Sequence, residues 1–244
     1  MRWAAAGLAF GLVTAAQTAC ADIRVTARYA APTDRYRYFA LGRAHEFGAL
    51  FVTVRRGADP RVTYKIALPP DMVFEDTAPR VVDLDADGVP EILVIQSHRQ
   101  FGSRLVVLQL AGGVPVQSAA SPFVGAPNHW LSVIGAGDLD GDGRSEIALI
   151  DAPHRLGQLV IYRYADGGLR ELSRGQHVTN HRFGAHEILG GVRRCSPSTE
   201  MIVARFDWSE LLALRLGADG AITARSLGRD TSPAAFDAAL ACRI

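Results

Sequence analysis

Apolar residues along this chain come in short runs, such as 92–95, 105–110, 147–150, 159–164 and 211–216, rich in Val, Ile and Leu. Turn-forming clusters separate the runs: Ala111-Gly112-Gly113, Asp166-Gly167-Gly168 and Asp219-Gly220. β-branched residues suit a pleated strand, and Gly beside Asp supplies tight turns. The pattern predicts strands joined by turns, not helical hairpins. Alternation of apolar and polar positions is imperfect even in a clear run such as Gln158-Leu159-Val160-Ile161-Tyr162-Arg163-Tyr164. One helix is predicted, over 232–242. Ser232 is placed as its N-cap, Pro233 stands in the first turn, and Phe236, Ala239 and Leu240 share a face.

The runs repeat. Asp83-Leu84-Asp85-Ala86-Asp87-Gly88-Val89-Pro90-Glu91-Ile92 returns 55 residues later as Asp138-Leu139-Asp140-Gly141-Asp142-Gly143-Arg144-Ser145-Glu146-Ile147. After each comes an apolar strand, a His-containing turn that ends in Gly, and a second strand. Weaker copies flank these two: His45-Glu46-Phe47-Gly48 matches the His turn, and Glu200-Met201-Ile202-Val203 matches the stretch from Glu146. Each copy reads as four strands, placed in the third at 132–137, 146–151, 158–164 and 169–174, while 23–29 can supply the inner strand of the first. Four-stranded units at a fixed period predict an all-β fold, a β-propeller of about four four-stranded blades, with a short C-terminal helix. A closed ring is the simplest count. An open arc completed by dimerisation is the alternative.

Composition adds a compartment. Arg2 followed by the apolar run 4–16 and Ala19-Cys20-Ala21 reads as an export signal over 1–21, leaving a single propeller domain over 22–244. The run is too short to span a bilayer, which needs about 20 apolar residues. Acylation of Cys20, as in a lipoprotein, is the lesser alternative, since Gln17 stands where an aliphatic residue is preferred. Cleavage leaves Cys195 and Cys242, an even pair in an oxidising compartment, so a disulfide between them is expected; two buried free thiols are the alternative. The formal charge of +1, from 26 basic and 25 acidic residues, argues against a nucleic-acid partner driven by net charge. Of the basic residues 25 are Arg, spread over the whole chain, which reads as codon bias.

The acidic loops carry the chemistry. Calcium takes six to eight oxygens from carboxylates, backbone carbonyls and water. Carboxylates at loop positions one, three, five and nine can meet at one centre, glycine at six permits a sharp turn, and position seven offers a carbonyl. The expected ligands are Asp83, Asp85, Asp87, the Val89 carbonyl and Glu91, and Asp138, Asp140, Asp142, the Arg144 carbonyl and Glu146. Without a metal, four carboxylates within nine residues repel one another. The Asp-x-Asp-x-Asp-Gly-x-x-Glu pattern between strands resembles the calcium loops of integrin α-subunit propellers and of bacterial FG-GAP and VCBS repeat proteins. Phe47-Gly48, Phe101-Gly102 and Ala152-Pro153 stand where that family carries its FG and GAP pieces. The resemblance implies a propeller with two calcium ions and no particular reaction. In the fourth copy Val192, Arg194 and Ser196 take the first three ligand positions, so that copy is expected to be metal-free, with the Cys195 bridge bracing it.

No nucleophile elbow, HExxH, phosphate loop or Cys-x-x-Cys is present. In a four-stranded blade the acidic loops lie on one rim, and His45, His98, His129, His154, His181 and Trp208 fall on the other. That rim is the candidate ligand surface. Two functions remain. One is an exported, non-catalytic calcium-binding module for a protein or glycan. The other is a hydrolase or lyase that uses the His-rich rim, with Glu46 and Glu187 as candidate carboxylates.

Overall fold

The computed structural model describes residues 23–195 and 198–244. The expected export signal, Cys20 and Ser196 lie outside the described residues. Among the described residues sixteen strands and one helix follow in order. The first unit is β1 (Ile23–Thr33), β2 (Glu46–Arg56) and β3 (Val62–Ala67), followed by the short β4 (Met72–Phe74). The second is β5 (Arg80–Val82), β6 (Glu91–His98), β7 (Gly102–Ala111) and β8 (Val114–Ala120). The third is β9 (Leu131–Gly137), β10 (Glu146–Asp151), β11 (Gln158–Ala165) and β12 (Gly168–Thr179). The fourth is β13 (Gly191–Cys195), β14 (Ser198–Arg205), β15 (Leu211–Leu216) and β16 (Ile222–Gly228), and α1 (Pro233–Leu240) ends the chain.

Each unit is an antiparallel meander, and short bridges merge them into two eight-stranded sheets. β4 pairs with both β2 and β6, joining the first unit to the second. The end of β12 reaches β14 through Val178 and Thr179, joining the third to the fourth. The strands expected for the third copy form within a few residues of their limits, except that β12 runs on to Thr179. A kink at Gln176 (φ 57°) re-aims it toward β14. The first unit differs from its expected form. β1 pairs with β2, as β6 pairs with β7, so among the described residues this unit has three strands and no counterpart of β5.

Packing explains the imperfect alternation. Ile92 and Val94 of β6 face the first unit, packing with Leu50, Val52 and Phe74. Leu93 and Ile95, on the opposite side of the same strand, face Trp130, Ile147 and Leu149 of the third. In β10, Ala148 and Ile150 turn to Met201, Val203 and Leu214 of the fourth. A strand covered on both faces needs apolar residues at every position, and β10 is buried throughout. The fourth unit sets Ile202, Ala204 and Ala213 against Phe236 and Ala239 of α1. The helix starts as expected: Ser232 Oγ accepts from Ala235 N at 3.3 Å. The segment between β1 and β2 enters the middle, where Ala40 and Leu41 are buried beside Trp130.

The same centre holds buried acids. Trp130 Nε1 donates to the Glu75 carbonyl at 2.8 Å, and Ser97 Oγ donates to the Glu75 carboxyl. Burial pushes Glu75 from an ordinary 4.5 up to about 8, and Glu46 up to about 7 against the nearby Arg43. Burial, with His181 and Arg155 adding to it, pushes His154 down to about 4. A raised acid favours the fold below its unfolded pKa and gives that up as pH rises through the folded value; a lowered histidine favours the fold above about 6.5. Between pH 6.5 and 8.5 the carboxyls dominate, so stability falls with rising pH. Urea denaturation across that range should show a shallower slope for Glu75→Gln than for the parent. Identical slopes would remove Glu75 as the cause.

Candidate metal centre

Both acidic loops join the first strand of a unit to its second. Val82 pairs with Glu91, and Gly137 with Glu146, so position nine is the first residue of the second strand and faces the residue before the loop. Leu84 and Leu139, at position two, are buried and plug each loop into the core. Sequence reasoning passed over this pair, although an apolar residue between two aspartates was its signal. Backbone turns set the remaining shape. Asp85 Oδ1 accepts from Asp87 N at 3.2 Å and Asp87 Oδ1 from Val89 N at 2.7 Å. The second loop repeats this, with Asp142 N on Asp140 Oδ1 at 3.1 Å and Arg144 N on Asp142 Oδ1 at 2.9 Å. Gly88 (φ 83°) and Gly143 (φ 86°) take the left-handed backbone at position six, which glycine adopts without strain.

Three carboxylates of each loop converge. One oxygen each from Asp83, Asp85 and Glu91 lies within 4.8 Å of the others, and Asp138, Asp140 and Glu146 form the equivalent set. Asp87 and Asp142 stand outside these triads and hold the turn through position seven. Each glutamate also reaches back: Glu91 Oε2 accepts from Leu84 N at 2.9 Å and Glu146 Oε2 from Leu139 N at 3.0 Å.

The first triad has the features of a cation cradle. Asp83 Oδ2 accepts from Gly88 N at 3.0 Å, while Asp83 Oδ1 is buried with no protein partner. An orphaned buried carboxylate oxygen is costly unless a cation or water completes it. Burial pushes Glu91 up to about 7, with the Asp85, Asp87 and Asp83 charges adding to it against the Leu84 hydrogen bond. All-oxygen donors on a flexible loop suit calcium.

In the fourth copy arginines surround the aligned glutamate. Glu200, aligned with Glu91 and Glu146, accepts from Arg193 Nε at 2.9 Å and Nη2 at 2.7 Å, and from Arg215 Nε at 2.9 Å. Arg225 adds a contact at 3.2 Å. Burial raises the Glu200 carboxyl, but the hydrogen bonds from the three arginines outweigh it and hold it below the usual range. Cys195 is bonded to Cys242 beside this cluster, with Cα atoms 5.8 Å apart.

With this geometry the sequence comparison is specific. Residues 83–149 match the FG-GAP-like repeat family. The match takes in both acidic loops and β10 as far as Leu149. No protein of curated function matches the chain. Solved structures similar to it include a protein from Lactobacillus plantarum, at 14% identity and a TM-score of 0.42, covering 76% of this chain and 55% of that one. Another is the exotype rhamnogalacturonan lyase YesX, at 14% identity and a TM-score of 0.37, covering 72% of this chain and 40% of that one. The chain thus spans about half the length of these structures or less.

The histidines expected on the other rim are spread over separate partners. His154 Nε2 lies 2.8 Å from His181 Nδ1, and both rings pack on Trp130. His98 Nε2 meets Asp71 Oδ2 at 3.0 Å and its ring stacks on Phe101. His129 Nε2 meets Asp151 Oδ1, and Arg174 Nη1 holds Asp151 Oδ2 at 3.2 Å. His45 stands edge-on to Phe47, and Trp208 lies under Arg182 at 3.8 Å and against Phe236. Of the six, the structure brings together only His154 and His181. Asp71 and Asp151, unnoticed in the sequence because they sit far from their histidines along the chain, are the carboxylates that meet His98 and His129.

Proposed function

We propose that this chain is an exported, propeller-type binding module, with its acidic loops braced by calcium and no catalysis of its own. The orphaned oxygen of Asp83, a member of a carboxylate triad, carries the calcium reading. Asp87 and the Val89 carbonyl, and Asp142 and the Arg144 carbonyl, complete the two ligand sets in this reading. The four units are successive blades. They form an open arc, supported by α1 covering the outer face of the fourth unit, where a closing ring would bring the first. The disulfide supports an oxidising compartment, and no helix among the described residues is long and apolar enough to cross a membrane.

Histidine geometry favours binding over catalysis. A general acid or base needs a ring nitrogen free to exchange a proton with substrate. In His98 one nitrogen accepts from Gln100 N and the other meets Asp71. In His181 one meets His154 and the other the Ala185 carbonyl. These rings serve the turns they sit in. The ligand of the module is a protein or glycan.

Melting curves in millimolar calcium and in excess chelator test the metal reading. Extracellular calcium sites have dissociation constants of about 10⁻⁴ to 10⁻³ M, so about 1 mM calcium adds roughly 0.4–1.4 kcal/mol per occupied site. Chelation should lower Tm, and calcium should restore it where magnesium does not, because magnesium demands an octahedral cage and sheds its waters reluctantly. Coincident curves, with no heat of binding, would reject calcium at both loops.

A further inference from the structure

The two acidic loops are alike in sequence and unlike in charge. Arg163 of β11 pairs in register with Glu146 and extends into the 138–146 loop. Its Nη2 lies 2.9 Å from Asp140 Oδ2, its Nη1 lies 2.9 Å from Asp142 Oδ2, and its Nε donates to Glu146 Oε1 at 2.8 Å. One guanidinium thus touches three of the four carboxylates meant for a metal. Its side chain is only 9% exposed, so water screens these contacts weakly. Arg144 at position seven, where the other loop has Val89, puts a second positive residue in the same loop.

No such cation pairs with the 83–91 loop among the described residues. Among the described residues no arginine, lysine or histidine forms an ion pair with Asp83, Asp85, Asp87 or Glu91. Ile92 pairs with Leu108, which places Gln109 across from Glu91, where Arg163 stands across from Glu146. Gln109 Oε1 accepts from Tyr164 Oη at 3.3 Å and brings no charge. In the fourth unit the same cross-strand position is Arg215, bonded to Glu200. The three positions form a series: glutamine over an all-acid loop, arginine over an all-acid loop, and arginine over a loop that has lost its acids. The orphaned oxygen lies on Asp83, in the loop without a paired arginine. In the other loop Asp138, the one carboxylate that Arg163 does not touch, accepts from Gly141 N at 2.8 Å.

We propose that Arg163 is a built-in counter-cation of the 138–146 loop and sets a hierarchy between the sites: calcium fills 83–91 first and enters 138–146 only by displacing the Arg163 guanidinium. This rests on the calcium reading above. A dication and a guanidinium cannot share Asp140 and Glu146 without bringing positive charges together, so each lowers the other's affinity. Couplings of this kind typically change affinity by about 5–150-fold. The hierarchy makes one blade calcium-dependent and leaves its neighbour folded without the metal.

Calorimetric calcium titration of the intact protein, with melting curves beside it, tests the assignment. The parent should show one tighter and one weaker site, the weaker by about tenfold or more. Asp85→Ala should remove the tighter and Asp140→Ala the weaker. Arg163→Gln should tighten the second site toward the first and enlarge the gain in Tm that calcium brings. Gln109→Arg supplies the converse and does not depend on the folding of Arg163→Gln: it should weaken the first site by a similar factor. Two equal sites in the parent, both unmoved by Arg163→Gln and Gln109→Arg, would overturn the role of Arg163 and leave the calcium reading standing. Loss of calcium binding in Arg163→Gln would also overturn it, by making the arginine a support of the cradle. No binding in the parent or in either variant would overturn both.

Discussion

Glu200→Gln should destabilise the protein by about 3–5 kcal/mol, the usual cost of removing one partner from a buried ion pair. Arg193 and Glu200 are 3% and 2% exposed, so the guanidinium left behind cannot recover its hydration without opening the fold. The consequence reaches the C-terminus. Arg193 Nη1 also donates to the Ala239 carbonyl, at the end of α1, and to the Ile244 carbonyl at 2.8 Å. Glu200 therefore orients the arginine that pins the helix over Ile202 and Ala213. Urea denaturation of parent and variant gives the number. A change below 1 kcal/mol would mean that water already compensates Arg193. Arg215→Gln offers the contrast. Its side chain is half exposed, and surface ion pairs contribute about 0–1 kcal/mol, so its loss should be small.

Cleaving the Cys195–Cys242 bond should cost a comparable amount. The bond spans 47 residues and ties the end of β13 to the residues just after α1. Chain-entropy reasoning gives about 4 kcal/mol for a loop of that length, as the unfolded chain gains freedom once the link is gone. The paired double variant Cys195→Ser with Cys242→Ser separates the link from redox side effects. Its urea midpoint should fall and its native spectrum persist, because the Arg193 contacts and the Phe236 cluster still hold the helix. If the midpoint holds, the bond adds nothing beyond those contacts. Titration of the unfolded, unreduced protein should find no free thiol at either residue.

The sequence determined the strands, their turns and the acidic loops by itself. These are local matters. Turn glycines and β-branched runs act within a few residues, and carboxylates at alternate loop positions can meet only near their own turn. Leu84 and Leu139 were equally local, and their role was legible in hindsight. The helix cap at Ser232 and the pairing of the last two cysteines needed no tertiary information either.

Tertiary structure decided how the units face one another and what charge sits in each loop. Near-continuous apolar strands such as β10 signal burial on both faces, but not which neighbour covers which face. That β1 takes the place of a second strand beside β2, and that Ala40 and Leu41 are buried in the middle, carried no repeat signal. The rim histidines shared a rim by repeat position, yet each found its partner across long sequence gaps, as His98 did in Asp71. Arg163 is the sharpest case. In the sequence it is one arginine of 25, sitting in an imperfectly alternating strand. Only the cross-strand register, which sets it opposite Glu146, turns it into a charge inside an acidic loop. Register is a property of two strands held together by a core, so no window of sequence around either residue contains it.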